Sequence, residues 1–135
     1  MASTITLLCM DAPYESANST TALRLVEAAI RRGLNVNVFA YEGAVAYSIA
    51  TQKPHQNPVK GTSVEEERHP TTKDWVAALL REAEEKGLKL DWVRCGLCED
   101  ERGAFEQVPG TRRGGPGDFV KQVAASDNVL VIPTR

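Results

Sequence analysis

The sequence has little of what marks a secreted, membrane-bound or nucleic-acid-gripping chain. Its 135 residues include three cysteines, too few and odd in number for a secreted disulfide framework. A chain of this length needs no such staples, because it can bury roughly two-thirds of its unfolded surface. No run approaches the roughly 20 apolar residues that span a bilayer. The opening Met-Ala-Ser-Thr-Ile-Thr-Leu-Leu-Cys-Met has neither a basic n-region nor a cleavage site, so no signal peptide and no membrane role are expected. A reducing cytoplasm is the expected location. Charge is nearly balanced, with 16 Lys and Arg against 18 Asp and Glu for a net charge of −2, which argues against direct nucleic-acid binding. The two histidines, His55 and His69, have no third or fourth ligand spaced nearby, so no metal is expected. Repeats and low-complexity segments are absent too, and one domain spanning residues 1–135 is expected.

What is present is an alternation of short apolar runs with amphipathic stretches. Residues 4–10 are almost wholly apolar, as a buried parallel strand requires. A turn at Asp11–Tyr14 leads to a helix capped by Asn18 or Ser19 and ending at Gly33, with Ala22, Leu25, Val26, Ala29 and Ile30 on its buried stripe. Residues 34–40 read as a second strand and 43–50 as a short helix against the sheet. The stretch 51–71 holds three prolines and three consecutive glutamates, and is expected to be a mobile surface loop. A helix over 72–86, capped by Thr71 or Thr72, buries Trp75, Leu79, Leu80 and Ala83. A third strand over 88–94, an irregular loop over 104–115, a helix from Gly117 or Asp118 to about Ser126 and a final strand over 129–132 complete the chain. This order predicts a single-domain, three-layer α/β/α fold with a mostly parallel sheet.

In such sheets reactive groups gather beyond the carboxyl ends of the strands. Two stretches lie there: the turn Asp11–Ala17, which carries Tyr14, and Cys95-Gly96-Leu97-Cys98-Glu99-Asp100-Glu101-Arg102-Gly103. Cys95 stands where a strand ends and a turn or helix begins, a place where backbone N–H groups favour the reactive thiolate. Arg94 and Arg102 add positive charge there, while Glu99, Asp100 and Glu101 oppose it. Gly96 lets the backbone pass close to Cys95. Cys98, three residues on, is within reach of Cys95 and suits a resolving or assisting thiol. Cys9 sits inside an apolar strand and reads as core. The segment 110–117 is basic and glycine-rich but lacks the Gly-Lys-Ser/Thr ending of a phosphate-binding loop, and reads as a flexible loop.

The run Cys95-Gly96-x-Cys98 followed by Arg102-Gly103 resembles the Cys-Gly-x-Cys-x-x-x-Arg-Gly motif of the DsrE/DsrF-like (TusD/DsrE-type) sulfur-relay family. The likeness extends to Leu7–Tyr14, Ala22–Leu25, Arg32–Leu34, Val38–Val45 and Ser126–Val131. It implies a DsrE-like α/β fold and a sulfur carrier in which Cys95 accepts sulfane sulfur as a persulfide and relays it to a partner, with Cys98 assisting. It further implies that Tyr14, Gly96, Arg102 and Gly103 shape the site, that no cofactor is needed, and that the chain works with sulfur donor and acceptor proteins as a homo-oligomer, a trimer or hexamer. The alternatives are a dithiol redox protein using Cys95 and Cys98, and a non-catalytic subunit of a sulfur-metabolism complex.

Overall fold

An apolar run of six or seven residues satisfies its backbone only in a sheet and its side chains only under cover on both faces. The computed structural model describes residues 2–67 and 70–134, and these runs become its central strands. Among the described residues, five strands, β1 (Thr4–Cys9), β2 (Asn35–Ala40), β3 (Leu90–Cys95), β4 (Thr111–Gly114) and β5 (Asn128–Ile132), form one sheet. The order is β4-β3-β2-β1-β5 and every neighbouring pair is parallel. The helices are α1 (Asn18–Arg31), α2 (Thr72–Glu85), α3 (Gly96–Arg102) and α4 (Pro116–Ala124), with a 3-10 helix at Glu42–Ser48.

The period-2 alternation of side chains divides the strands between two apolar clusters. Leu7, Cys9, Val36, Val38 and Trp92 face α1 and α2, packing on Ala22, Leu23, Val26, Ile30, Val76 and Leu79. Burying each Leu, Ile or Val there stabilises the fold by about 1.5–3 kcal/mol relative to exposure. The opposite face carries Leu8, Phe39, Val93 and Cys95, covered by Phe119 of α4 and, at the carboxyl end of the strands, by Val45, Cys98 and Ala104. Beside this second cluster lies a polar seam. Thr6, Asn37 and Gln122 are buried, the Asn37 amide donates to Thr6 Oγ1 at 3.2 Å, and the Gln122 amide donates to the Val38 and Asp91 carbonyls at 3.4 and 3.3 Å. No described helix is long and apolar enough to cross a membrane.

Several expectations are corrected. The stretch 104–115 is not wholly irregular: Thr111–Gly114 pairs with Trp92–Cys95 as the edge strand β4. On α1, Leu23 is buried and Leu25 is exposed, because the stripe is centred one position away from the one read from periodicity. Helix α1 starts at Asn18 with Ala17 as its cap residue, and the Asn18 amide is spent on Asp11 Oδ2 at 2.8 Å. Part of the 51–71 stretch is tied down. Gln52 accepts the Lys73 N–H at 2.9 Å and donates to Thr72 Oγ1 at 2.9 Å, so it supplies the α2 start with a partner that Thr71, bonded to Asp74 Oδ2 at 2.8 Å, does not. His69 lies outside the described residues.

Candidate functional site

Strand β3 ends at Cys95 and α3 begins at the next residue. The paired register, Cys95 against Gly114 and Arg94 against Arg113, fixes both the end of the strand and the helix start. Cys95 has extended backbone geometry and its side chain makes no capping hydrogen bond. Helix α3 closes at Gly103, whose φ of 62° is left-handed. That conformation suits glycine, which has no Cβ to clash. Arg102 Nη1 donates back to the Cys98 carbonyl at 3.3 Å, so this side chain orients the helix end.

The two thiols are neighbours across the first turn of α3. Cys98 Sγ accepts the Glu42 N–H at 3.2 Å, from a residue held at a left-handed φ of 50°. The Cys98 thiol is pushed up to about 11, first by burial and then by the neighbouring Cys95 thiol; the Glu42 N–H opposes the rise without cancelling it. At neutral pH Cys98 is therefore a protonated thiol. Cys9 is a different case. Burial alone pushes it up to about 12, and it packs in the α1/α2 cluster as an inert residue.

Exposure is where the site departs from a freely presented thiol. Cys95 is 3% exposed and Cys98 6%. The 3-10 helix and α3 fold over the strand ends and bring Val45 and Ala104 against them, with Phe39 and Val93 beneath. Beside this cluster lies an apolar groove of about 160 Å³ lined by Leu8, Met10, Phe39, Tyr41, Pro116 and Phe119. Four of those six, Leu8, Phe39, Tyr41 and Phe119, also pack in the cluster that encloses Cys95.

The acidic run has an electrostatic explanation. Glu99 is buried and paired with Arg94, and Arg113 Nη1 lies 3.6 Å from its second oxygen. Asp100 takes a bidentate pair of hydrogen bonds from Arg113 at 2.9 and 2.8 Å, which holds its carboxyl below the usual carboxylate range. Two of the three acids beside Cys95 are thus neutralised by arginines. Among the described residues no group of three or more His, Cys, Asp or Glu could hold a metal ion.

The model of the DsrE/DsrF-like family matches residues 3–132. The chain belongs to this family. The uncharacterized protein MK0008 of Methanopyrus kandleri is 30% identical over 128 residues, 93% of this chain and 91% of that one. The uncharacterized protein MJ0989 of Methanocaldococcus jannaschii is 29% identical over 127 residues, 93% of this chain and 96% of that one. Among solved structures, the ychN protein from E. coli superposes with a TM-score of 0.67 over 97% of this chain and 99% of that one. At 21% identity that likeness shows the DsrE-like fold alone.

Within the family fold, Cys95, Gly96, Cys98, Arg102 and Gly103 come together on β3 and α3. Tyr14 makes its hydrogen bond elsewhere. At a left-handed φ of 71°, its hydroxyl accepts the Thr72 N–H at 3.2 Å, and its ring lines cavities beside Ser19 and Trp75 and beside Gln52 and His55. Arg113, read from sequence as part of a flexible basic loop, is a neighbour of the cysteine site. Its place depends on β4, and only the pairing of that strand reveals it.

Proposed function

We propose that the protein is a sulfur carrier in which Cys95 accepts sulfane sulfur and passes it to a partner. The observation that supports this most is the packing of two buried thiols together in one cluster at the carboxyl end of β3, in a chain of the DsrE/DsrF-like family. The Cys95 thiolate attacks the outer sulfur of a donor persulfide R–S–SH. A new S–S bond forms, the donor S–S bond breaks, and R–S⁻ leaves with the electron pair, giving Cys95–S–SH. An acceptor thiolate repeats the exchange in the forward direction, and Cys95 is regenerated.

Cys98 bears on the lifetime of the carried sulfur. Attack by a Cys98 thiolate on the Cys95 persulfide would close a Cys95–Cys98 disulfide and expel hydrosulfide. A Cys98 thiol pushed up to about 11 is protonated at neutral pH and is a poor nucleophile for that reaction. The same packing supports a second reading, a dithiol redox protein that cycles between the two thiols and the disulfide. Insulin reduction at the expense of the Cys95–Cys98 pair distinguishes the two, since a carrier that keeps Cys98 protonated is slow in that assay.

Burial of Cys95 makes access a matter of side-chain movement, and the groove at Phe39 and Phe119 is the approach we favour. Donor and acceptor proteins in a reducing cytoplasm, and a homo-oligomer, complete the reading. The oligomer is supported by the free edge strand β5 and its exposed Leu130 and Val131, which an unpartnered edge seldom leaves uncovered. Incubation with a sulfane donor followed by peptide mass analysis should show one added sulfur on the Cys95 peptide. No adduct with any sulfane donor tested would count against the carrier. Light scattering should report a mass well above that of one chain.

A further inference from the structure

The space beside Cys95 that glycine leaves free is filled. A Cβ on Gly96 would stand 2.6 Å from Arg113 Nε, 2.7 Å from Cζ and 2.9 Å from Nη2. Real Cβ atoms do not approach that closely, so the guanidinium lies directly against the backbone of the residue that follows Cys95. Three features hold it there. Its backbone is fixed by pairing opposite Arg94 in the β3/β4 ladder. Asp100 clasps two of its nitrogens at 2.9 and 2.8 Å. Glu99 lies at 3.6 Å. The Asp100 hydrogen bonds push the Arg113 guanidinium above its ordinary range against its own desolvation, with the Asp100 charge, then Glu99 and, least of all, the Cys95 sulfur adding to the rise. The other charged groups at the site are Arg94, whose partner is Glu99, and Arg102, which bonds the Cys98 carbonyl.

We propose that Arg113 is a positioning residue of the Cys95 site, seated in the space that Gly96 leaves and held by Asp100, where it sets positive charge beside the thiolate and the anionic persulfide. This rests on the reading of Cys95 as the sulfur acceptor. It gives Gly96 a different task from leaving the thiol open: the glycine makes room for a cation. It also gives the acidic run a purpose, because Asp100 offsets part of the guanidinium charge and so limits how far that charge favours the thiolate.

The test is the rate of Cys95 alkylation by iodoacetamide at neutral pH, followed at peptide level in the full chain with no sulfur donor present. Arg113→Gln should slow Cys95 roughly threefold to tenfold, the effect of removing a partly screened charge at short range. Arg113→Lys should restore much of the rate. Gly96→Ala, which keeps every charge but displaces the guanidinium, should slow it. Asp100→Asn, whose amide oxygen still accepts a hydrogen bond from Arg113 while the opposing charge is gone, should speed it. A merely structural clamp is weakened by Arg113→Gln and by Asp100→Asn alike, so it moves both rates in the same direction. Opposite signs that shrink in about 1 M salt support the proposal. Equal signs, or an unchanged rate in Arg113→Gln, overturn it. If Arg113→Gln does not fold, Asp100→Asn decides, acceleration in favour and slowing against. Since no donor is used, this outcome is independent of persulfide loading. Loading with equal signs refutes the role of Arg113 alone, and opposite signs without loading refute the carrier alone.

Discussion

Glu99→Ala takes a carboxylate away from two arginines at once. The Glu99 side chain is 4% exposed and that of Arg94 11%, and Arg94 Nε is already buried with no hydrogen-bond partner. After the substitution Arg94 is a buried cation without its carboxylate, and the desolvation that the pair offset is then uncompensated. Breaking such a pair from one side costs about 3–5 kcal/mol, a third or more of the total stability of many domains this size. Replacing both partners by apolar residues, Arg94→Met with Glu99→Leu, removes the two charges together and should be near neutral. Urea unfolding followed by tryptophan fluorescence measures all three proteins, and an unchanged slope with denaturant shows that midpoints compare stability. A single-variant loss under about 1 kcal/mol, or a double variant as unstable as the single one, would refute the reasoning. It would mean that water reaches the Arg94 and Glu99 pair freely.

Gly103→Ala places a Cβ in a left-handed residue at φ 62° and should cost about 1 kcal/mol; an unchanged thermal midpoint would show that α3 ends in some other way. Alkali should destabilise the fold through its thiols. Cys98 and Cys9 rise from an ordinary 9.0 to about 11 and about 12, so the folded state favours their protonated forms. That contribution is complete below pH 9 and is lost as pH climbs through 11 and 12. Urea midpoints in reducing buffer should fall over that range and fall less in Cys9→Ala; equal slopes in the two proteins would contradict the burial argument. Tyr14→Phe removes the acceptor for the Thr72 N–H and should cost about 1 kcal/mol, while persulfide loading at Cys95 stays as in the parent. Loss of loading would place Tyr14 in the sulfur site.

The central strands and the two long helices were legible because each carries its own pattern: an apolar run at 4–10, alternating Asn and Val leading into Phe39 over 34–40, a glycine stop at Gly33, and a clear buried stripe on α2. Strand β4 was not legible. Its residues Thr111-Arg-Arg-Gly have no apolar run, and they sit between Gly110 and Gly115. What makes them a strand is tertiary: the pairing to Trp92–Cys95 and the ion pair of Arg112 with Asp91 at 2.9 Å. Because β4 was missed, so was Arg113, whose contacts at Gly96 and Asp100 come from 13 or more residues away in sequence. Cys95 and Cys98 were legible as a pair because three-residue spacing on a helix brings side chains together. Their burial was not, since it depends on how the 3-10 helix at Glu42–Ser48 closes over the strand ends.

The most direct measurement of sulfur transfer is a peptide-resolved persulfide map of the native protein, made after incubation with polysulfide and alkylation under non-reducing conditions, for the parent chain and for each single cysteine-to-serine variant. If Cys95 is the acceptor, one added sulfur appears on its peptide, disappears in Cys95→Ser, and persists in Cys9→Ser and Cys98→Ser. Sulfur on Cys98 in the Cys95→Ser protein at the parent level, or no sulfur on any peptide, would contradict it.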